Sequence, residues 1–180
     1  MKATRVLTVF LFLIALAVMI NCKNKKKDNN LIGPNGNTNN GSMSATVSGE
    51  YNLSLQSSTA AGVTDVSMMS ALSDFSQGTT NYSLTIMVYS AVKTGTFDVV
   101  FVGGDFTNKA TCLFQAQIGN DTASKRSFWG YSGTITISEA SNTHLKGTFQ
   151  FAARENIPGS PEIAVTNGSF DVPAVYAAEN

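Results

Sequence analysis

The chain has few of the residues that carry catalytic or metal chemistry. It contains two cysteines, Cys22 and Cys112, and one histidine, His144. A serine triad needs a histidine base beside a nucleophile and an acid, and a zinc site usually takes four nitrogen or sulfur ligands. His144 directly follows the turn-forming residues 141–143 and is expected to face solvent. We therefore expect no catalytic residue, no metal, no cofactor and no enzymatic activity.

Charge is also scarce. The 12 basic and 12 acidic residues balance, and without residues 1–21, which contain Lys2 and Arg5, the count becomes 10 − 12 = −2. Four of the remaining basic residues are lysines within residues 23–27. A nucleic-acid-binding domain presents a basic face. No such face is expected here, which excludes nucleic acid as a partner.

The sequence lacks an apolar run long enough to span a membrane permanently. The longest run, residues 6–20, has 15 residues and is broken only by Thr8. As a helix it would measure about 22 Å, whereas a span needs about 20 apolar residues. Lys2 and Arg5 precede the run. A basic start followed by a short apolar stretch is typical of an export signal peptide.

The run ends in Met19-Ile20-Asn21-Cys22, which resembles a lipobox. In that motif a signal peptidase cuts before a cysteine that carries a diacylglycerol thioether. Met19 stands where the usual motif has Leu, and Asn21 stands where it has Gly, Ala or Ser, as in the relaxed motifs of spirochaetal lipoproteins. The resemblance implies a signal peptide over residues 1–21 and lipidation at Cys22. An ordinary secretory signal and an uncleaved anchor are the alternatives.

Residues 22–42 are expected to be a disordered tether. They are dominated by Lys, Asn and Gly, and Leu31 and Ile32 are their only large apolar residues. Such a composition cannot offset the entropy of ordering the chain. A flexible coil of this length would hold a domain about 25 Å from its anchor. We expect a protein attached to the cell envelope, and Lys23 after Cys22 favours the outer membrane.

Residues 43–175 form a single predicted domain, followed by a short tail at 176–180. Apolar and polar residues alternate along much of it, with Gly, Asn and Asp clusters between the alternating stretches. Period-two alternation predicts strands that bury one face. About eight strands predict an all-β antiparallel barrel or sandwich. The segment 66–72 (VSMMSAL) fits either a strand or a short helical turn.

A short signature recurs near predicted strand starts. Gly95, Gly133, Gly147 and Gly168 are each followed by Thr or Ser and then by Phe or Ile. We interpret the glycine as the residue that relieves a bend where the strand leaves its turn. Cys112 lies in an alternating stretch, so we expect a reduced cysteine in the core.

Four segments carry a resemblance to known proteins. They are 43–50 (MSATVSGE), 131–137 (YSGTITI), 145–153 (LKGTFQFAA) and 164–171 (AVTNGSFD). The chain resembles small bacterial lipoproteins of the spirochaete and Bacteroidetes type. The resemblance implies a calycin-like barrel or a sandwich. It assigns no functional residue except Cys22.

The sequence therefore leads to a lipid-anchored envelope protein whose β domain binds a small apolar ligand or a protein partner. Trp129 and Tyr131 have the same parity on a predicted strand and are the candidate ligand-binding residues. The same pattern also fits plain core or a plug at the end of a barrel. A structural or adhesin-type surface protein without a small-molecule ligand is the main alternative, and a hydrolase is a further one.

Overall fold

The computed structural model describes residues 41–103 and 105–177. The signal peptide, Cys22 and most of the predicted tether lie outside these residues. The described chain forms nine strands and one short 3₁₀ turn at Thr122–Ser124. The strands are β1 (Gly41–Gly49), β2 (Leu53–Thr64), β3 (Met69–Gln77), β4 (Thr80–Val88), β5 (Gly95–Asp98), β6 (Ala110–Ile118), β7 (Arg126–Ala140), β8 (His144–Arg154) and β9 (Glu162–Tyr176).

Eight of the strands close into an antiparallel barrel. Their order is β7-β6-β4-β3-β2-β1-β9-β8, and pairing between β7 and β8 closes the ring. Closure removes the unpaired edges that an open sheet would expose. A short parallel contact joins residues 62–64 of β2 to residues 174–176 of β9. The all-β prediction is confirmed, and of the two predicted architectures the structure has the barrel.

The ninth strand, β5, fills the place where β6 and β7 separate. β6 pairs with β7 only over residues 126–129, and β5 pairs with β7 over residues 134–137. The chain then returns towards β6, because the amide of Val100 donates to the carbonyl of Ala110. β5 therefore completes the wall that the splayed strands leave incomplete.

The interior of the barrel is filled by apolar side chains from all nine strands. Phe114, Phe128, Leu84 and Ile135 are among its fully buried members. Cys112 is reduced and lies in the same cluster, as predicted. Its burial raises the pKa of the thiol well above the ordinary range.

Two short turns set the bounds of β1, β2 and β3. Alternation over residues 45–55 predicts one strand, which is wrong, because the chain turns after Gly49, whose φ of 103° favours glycine. Before β3, the carboxylate of Asp65 accepts hydrogen bonds from the amides of Ser67 and Met68, at 2.6 and 2.5 Å. This turn stands where a short helix was the alternative, and Met69 begins a strand.

Candidate functional site: the outer wall of the barrel

Trp129 and Tyr131 face outward, not into the barrel. Phe128 and Ile135 on the same strand are both fully buried in the interior, although their positions differ in parity. A β-bulge between Gly130 and Ser132 explains this, because one extra residue reverses the alternation along β7. A reading without the bulge groups Trp129 and Tyr131 with Ile135, and so with the interior.

Tyr131 contacts charged side chains from β8 and from β9, the next strand beyond it. Its hydroxyl donates to Glu162 at 2.9 Å, and the guanidinium of Arg154 lies 4.9 Å from the centre of its ring. Arg154 also lies 3.9 Å from Glu162 and pairs with Trp129 across the β7–β8 ladder. The hydrogen bond to Glu162 raises the pKa of the Tyr131 hydroxyl.

Trp129, Tyr131, Arg154 and Glu162 lie beside a strip of small residues on the same outer face. Ser132, Ala152 and Ala164 are consecutive cross-strand neighbours on β7, β8 and β9. Ile157, in the turn that joins β8 to β9, is 63% exposed. We call Trp129, Tyr131, Arg154 and Glu162 the outer patch. It combines two aromatic rings with one positive and one negative charge beside a flat strip.

One end of the barrel is closed by Tyr51 and Arg126. The Tyr51 ring contacts the rings of Tyr82, Phe114 and Phe128, with centroids 5.7–6.0 Å apart. The guanidinium of Arg126 stacks 5.0 Å from the Phe128 ring. Burial raises the pKa of the Tyr51 hydroxyl. An aromatic side chain therefore shields this end of the core from solvent.

Arg126 also links two carboxylates at this end. Its Nη1 donates to Glu50 at 2.6 Å, and its Nε and Nη2 donate to the two oxygens of Glu155 at 3.2 and 2.8 Å. Sequence reasoning missed this cluster, because its members are separated by 29 and 76 positions along the chain. Only the register of the strands brings them together.

His144 lies on the outer wall, in agreement with the sequence-based expectation. Its Nε2 is 2.7 Å from Asp171 and its Nδ1 is 3.7 Å from Glu139. Lys146 lies 3.1 Å from the other oxygen of Asp171. Hydrogen bonds from His144 and Lys146 lower the pKa of Asp171. Both ring nitrogens thus face carboxylates, an arrangement that ties β7, β8 and β9 together.

Within residues 41–103 and 105–177, no group of three or more His, Cys, Asp or Glu side chains is arranged to hold a metal ion. The same residues contain no helix long and apolar enough to span a membrane. No family model, curated protein or solved structure matches the chain. The sequence and the geometry of the outer wall are therefore the basis for the proposed function.

Proposed function

We propose that the protein is a lipid-anchored envelope protein whose barrel binds a protein partner through the outer patch. The observation that carries this proposal is the grouping of Trp129, Tyr131 and Arg154 on the outer wall. Trp, Tyr and Arg are the residue types most enriched at the energetic centres of protein interfaces. Here they meet on one surface from two neighbouring strands.

The filled interior supports an outside partner over an inside ligand. Small-molecule sites are concave and enclose most of the ligand. The interior here is packed with the chain's own side chains, and Tyr51 lies over the aromatic rings at one end. An apolar ligand would have to displace these rings. A structural or adhesin-type role needs only the outer surface and is one form of the same proposal.

A non-enzymatic role is part of the proposal. The only histidine, His144, directs both ring nitrogens towards carboxylates, whereas a triad base directs one of them to a nucleophile. Cys112 is buried and its thiol pKa is raised, whereas a reactive cysteine has a lowered pKa and is accessible. Neither residue has the surroundings that nucleophilic catalysis requires.

The anchor is proposed from Cys22 and the residues before it, with the outer membrane as the destination. Mass spectrometry of the protein purified from the envelope tests it directly. We expect a mature N-terminus at Cys22 with acyl chains attached, and a Cys22→Ser variant released from the membrane fraction. An unmodified N-terminus at another residue would overturn the anchor and leave the barrel proposal standing.

Cross-linking in intact envelopes followed by affinity purification tests the partner. We expect the same cross-linked species in repeated preparations, and its loss in a Trp129→Ala/Tyr131→Ala variant. Gln56→Ala/Ser58→Ala is the matched control, because both side chains are exposed on β2, away from the patch. Equal recovery from both double variants would show that the patch is not the binding surface.

A further inference from the structure

We infer that the partner of the outer patch is a second copy of this chain, docked about a twofold axis. The inference rests on the proposed function, because it names the partner for the same surface. In a twofold dimer one patch meets itself, so each residue must be complementary to another residue of the same patch. The outer patch meets this condition in charge and in shape.

The charges of the patch are self-complementary. It carries one cation, Arg154, and one anion, Glu162, and their closest atoms are 3.9 Å apart. At that separation the pair is at the outer limit of an ion pair, and both side chains are more than half exposed. A twofold axis between them would set Arg154 of each copy against Glu162 of the other. The dimer would then gain two ion pairs and leave no patch charge unmatched.

The shape of this part of the outer wall also fits a twofold dimer. Trp129 and Tyr131 are bulky, and Ser132, Ala152 and Ala164 form a flat strip beside them. The twofold axis that sets Arg154 against Glu162 runs along the strands between β8 and β9, so Ala152 of each copy faces Ala164 of the other. These small side chains let the two walls approach closely, while Trp129 and Tyr131 lie to one side of the axis against the β1 side of the other copy. Ile157, exposed in the adjacent turn, would be covered at the rim of such an interface.

Anchoring to one membrane would favour this dimer. Two tethered copies diffuse in a plane with related orientations, which raises their effective concentration at each other's patch. An interface of moderate size is then sufficient. The same surface in a freely diffusing chain would need higher affinity to be occupied.

Cross-linking through an introduced cysteine tests the inference in the full-length chain in its envelope. Ala152→Cys places a thiol in the small-residue strip next to the proposed axis, because Ala152 pairs with Ala164 across β8 and β9, and Cys112 is buried and does not interfere. A short bismaleimide should then give a covalent dimer of twice the monomer mass. Ser58→Cys, exposed on β2, is the control position and should give none.

Charge reversal in the Ala152→Cys background tests whether the dimer forms through the contact between Arg154 and Glu162. Arg154→Glu should reduce the dimer about tenfold, because it replaces two attractions with two repulsions. The double reversal Arg154→Glu/Glu162→Arg should restore it, and Lys93→Glu, on a different part of the surface, should leave it unchanged.

The outcomes separate this inference from the proposed function. Loss with Arg154→Glu and recovery in the double reversal support the symmetric dimer. Absence of the dimer, while a different partner is lost in Trp129→Ala/Tyr131→Ala, overturns the dimer and keeps the proposed function. If the amount of dimer is the same in both reversal variants as in the parent protein, the contact lies elsewhere and the inference is overturned. If neither a dimer nor a patch-dependent partner is found, both are overturned.

Discussion

Gly168 lies directly opposite Phe149 in the β8–β9 ladder, and a β-carbon on Gly168 would collide with the Phe149 ring. The relationship is repeated in reverse nearby, where Gly147 lies opposite Phe170 and a β-carbon there would approach the ring within 2.7 Å. The two phenylalanines stack with centroids 6.3 Å apart. Each glycine therefore makes room for an aromatic ring of the neighbouring strand.

Replacing Gly168 with alanine should destabilise the barrel by about 1–3 kcal/mol, the usual cost of overpacking a filled core. Ser58→Ala is the control, because this side chain is exposed on β2 and such surface substitutions change the free energy of unfolding by less than about 0.5 kcal/mol. Urea unfolding of both variants at one pH measures the difference. A Gly168→Ala protein as stable as the wild type would contradict the packing described for Phe149.

The sequence predicts the strands here but not the contacts between them. Alternation identifies the buried positions of β8, such as Leu145 and Phe149, because it is a local property. The sequence pattern indicates bend relief for the glycine signature, but Gly168 accommodates the Phe149 ring, and Gly147 accommodates both the Phe170 ring and the backbone carbonyl of Thr136. That role depends on register, which a single strand does not contain.

The candidate site shows the same division between local and non-local information. Trp129 and Tyr131 were recognisable as candidates from residue type alone. Their orientation was not, because a single-residue bulge at Gly130 and Ser132 reverses the faces of β7 without a distinctive sequence. Arg154 and Glu162, which complete the patch, became identifiable only when the ladders placed them beside Tyr131.

Removing the Arg126 guanidinium should loosen the end of the barrel that Tyr51 covers. Arg126→Met keeps most of the stacking on Phe128 and loses the hydrogen bonds to Glu50 and Glu155. We expect the free energy of unfolding to fall by about 1–2 kcal/mol, a value between those of surface ion pairs and of hydrogen bonds to charged groups.

Urea unfolding measures this loss, and Lys125→Met supplies the control because its side chain is exposed beside Arg126. Arg126→Lys should recover only part of the stability, since an ammonium cannot bind the Glu155 carboxylate through two nitrogens. Equal stability of the Arg126→Met and Lys125→Met proteins would show that the bridge contributes nothing.

Asp171 should make the barrel more stable at neutral pH than at acid pH. Its pKa is lowered in the folded protein by hydrogen bonds from His144 and Lys146. A lowered folded-state pKa stabilises the protein above the unfolded-state pKa, and this contribution is lost as the pH falls through the folded value. Asp171 is nearly half exposed, so screening keeps the contribution below about 1 kcal/mol.

Thermal unfolding of wild type and Asp171→Asn between pH 2 and pH 7 measures this effect. The two curves should separate near neutral pH and converge at the acid end. Glu139→Gln, which alters a more distant carboxylate of the same cluster, should separate less from the wild type. A constant difference across the whole range would mean that the Asp171 charge is not its source.

Cys112 should be inert while the barrel is folded. Its side chain is fully buried among apolar residues, which raises the thiol pKa and so disfavours the thiolate that reacts with labelling reagents. Labelling then requires opening of the barrel, and at pH 8 we expect a rate at least about a hundredfold below that in urea. The Cys22→Ser protein isolates this thiol, and Ser132→Cys added to it provides an exposed thiol that reacts at once. Rapid labelling of Cys112 in the folded protein would contradict the packed interior, and with it the argument that partners bind on the outer wall.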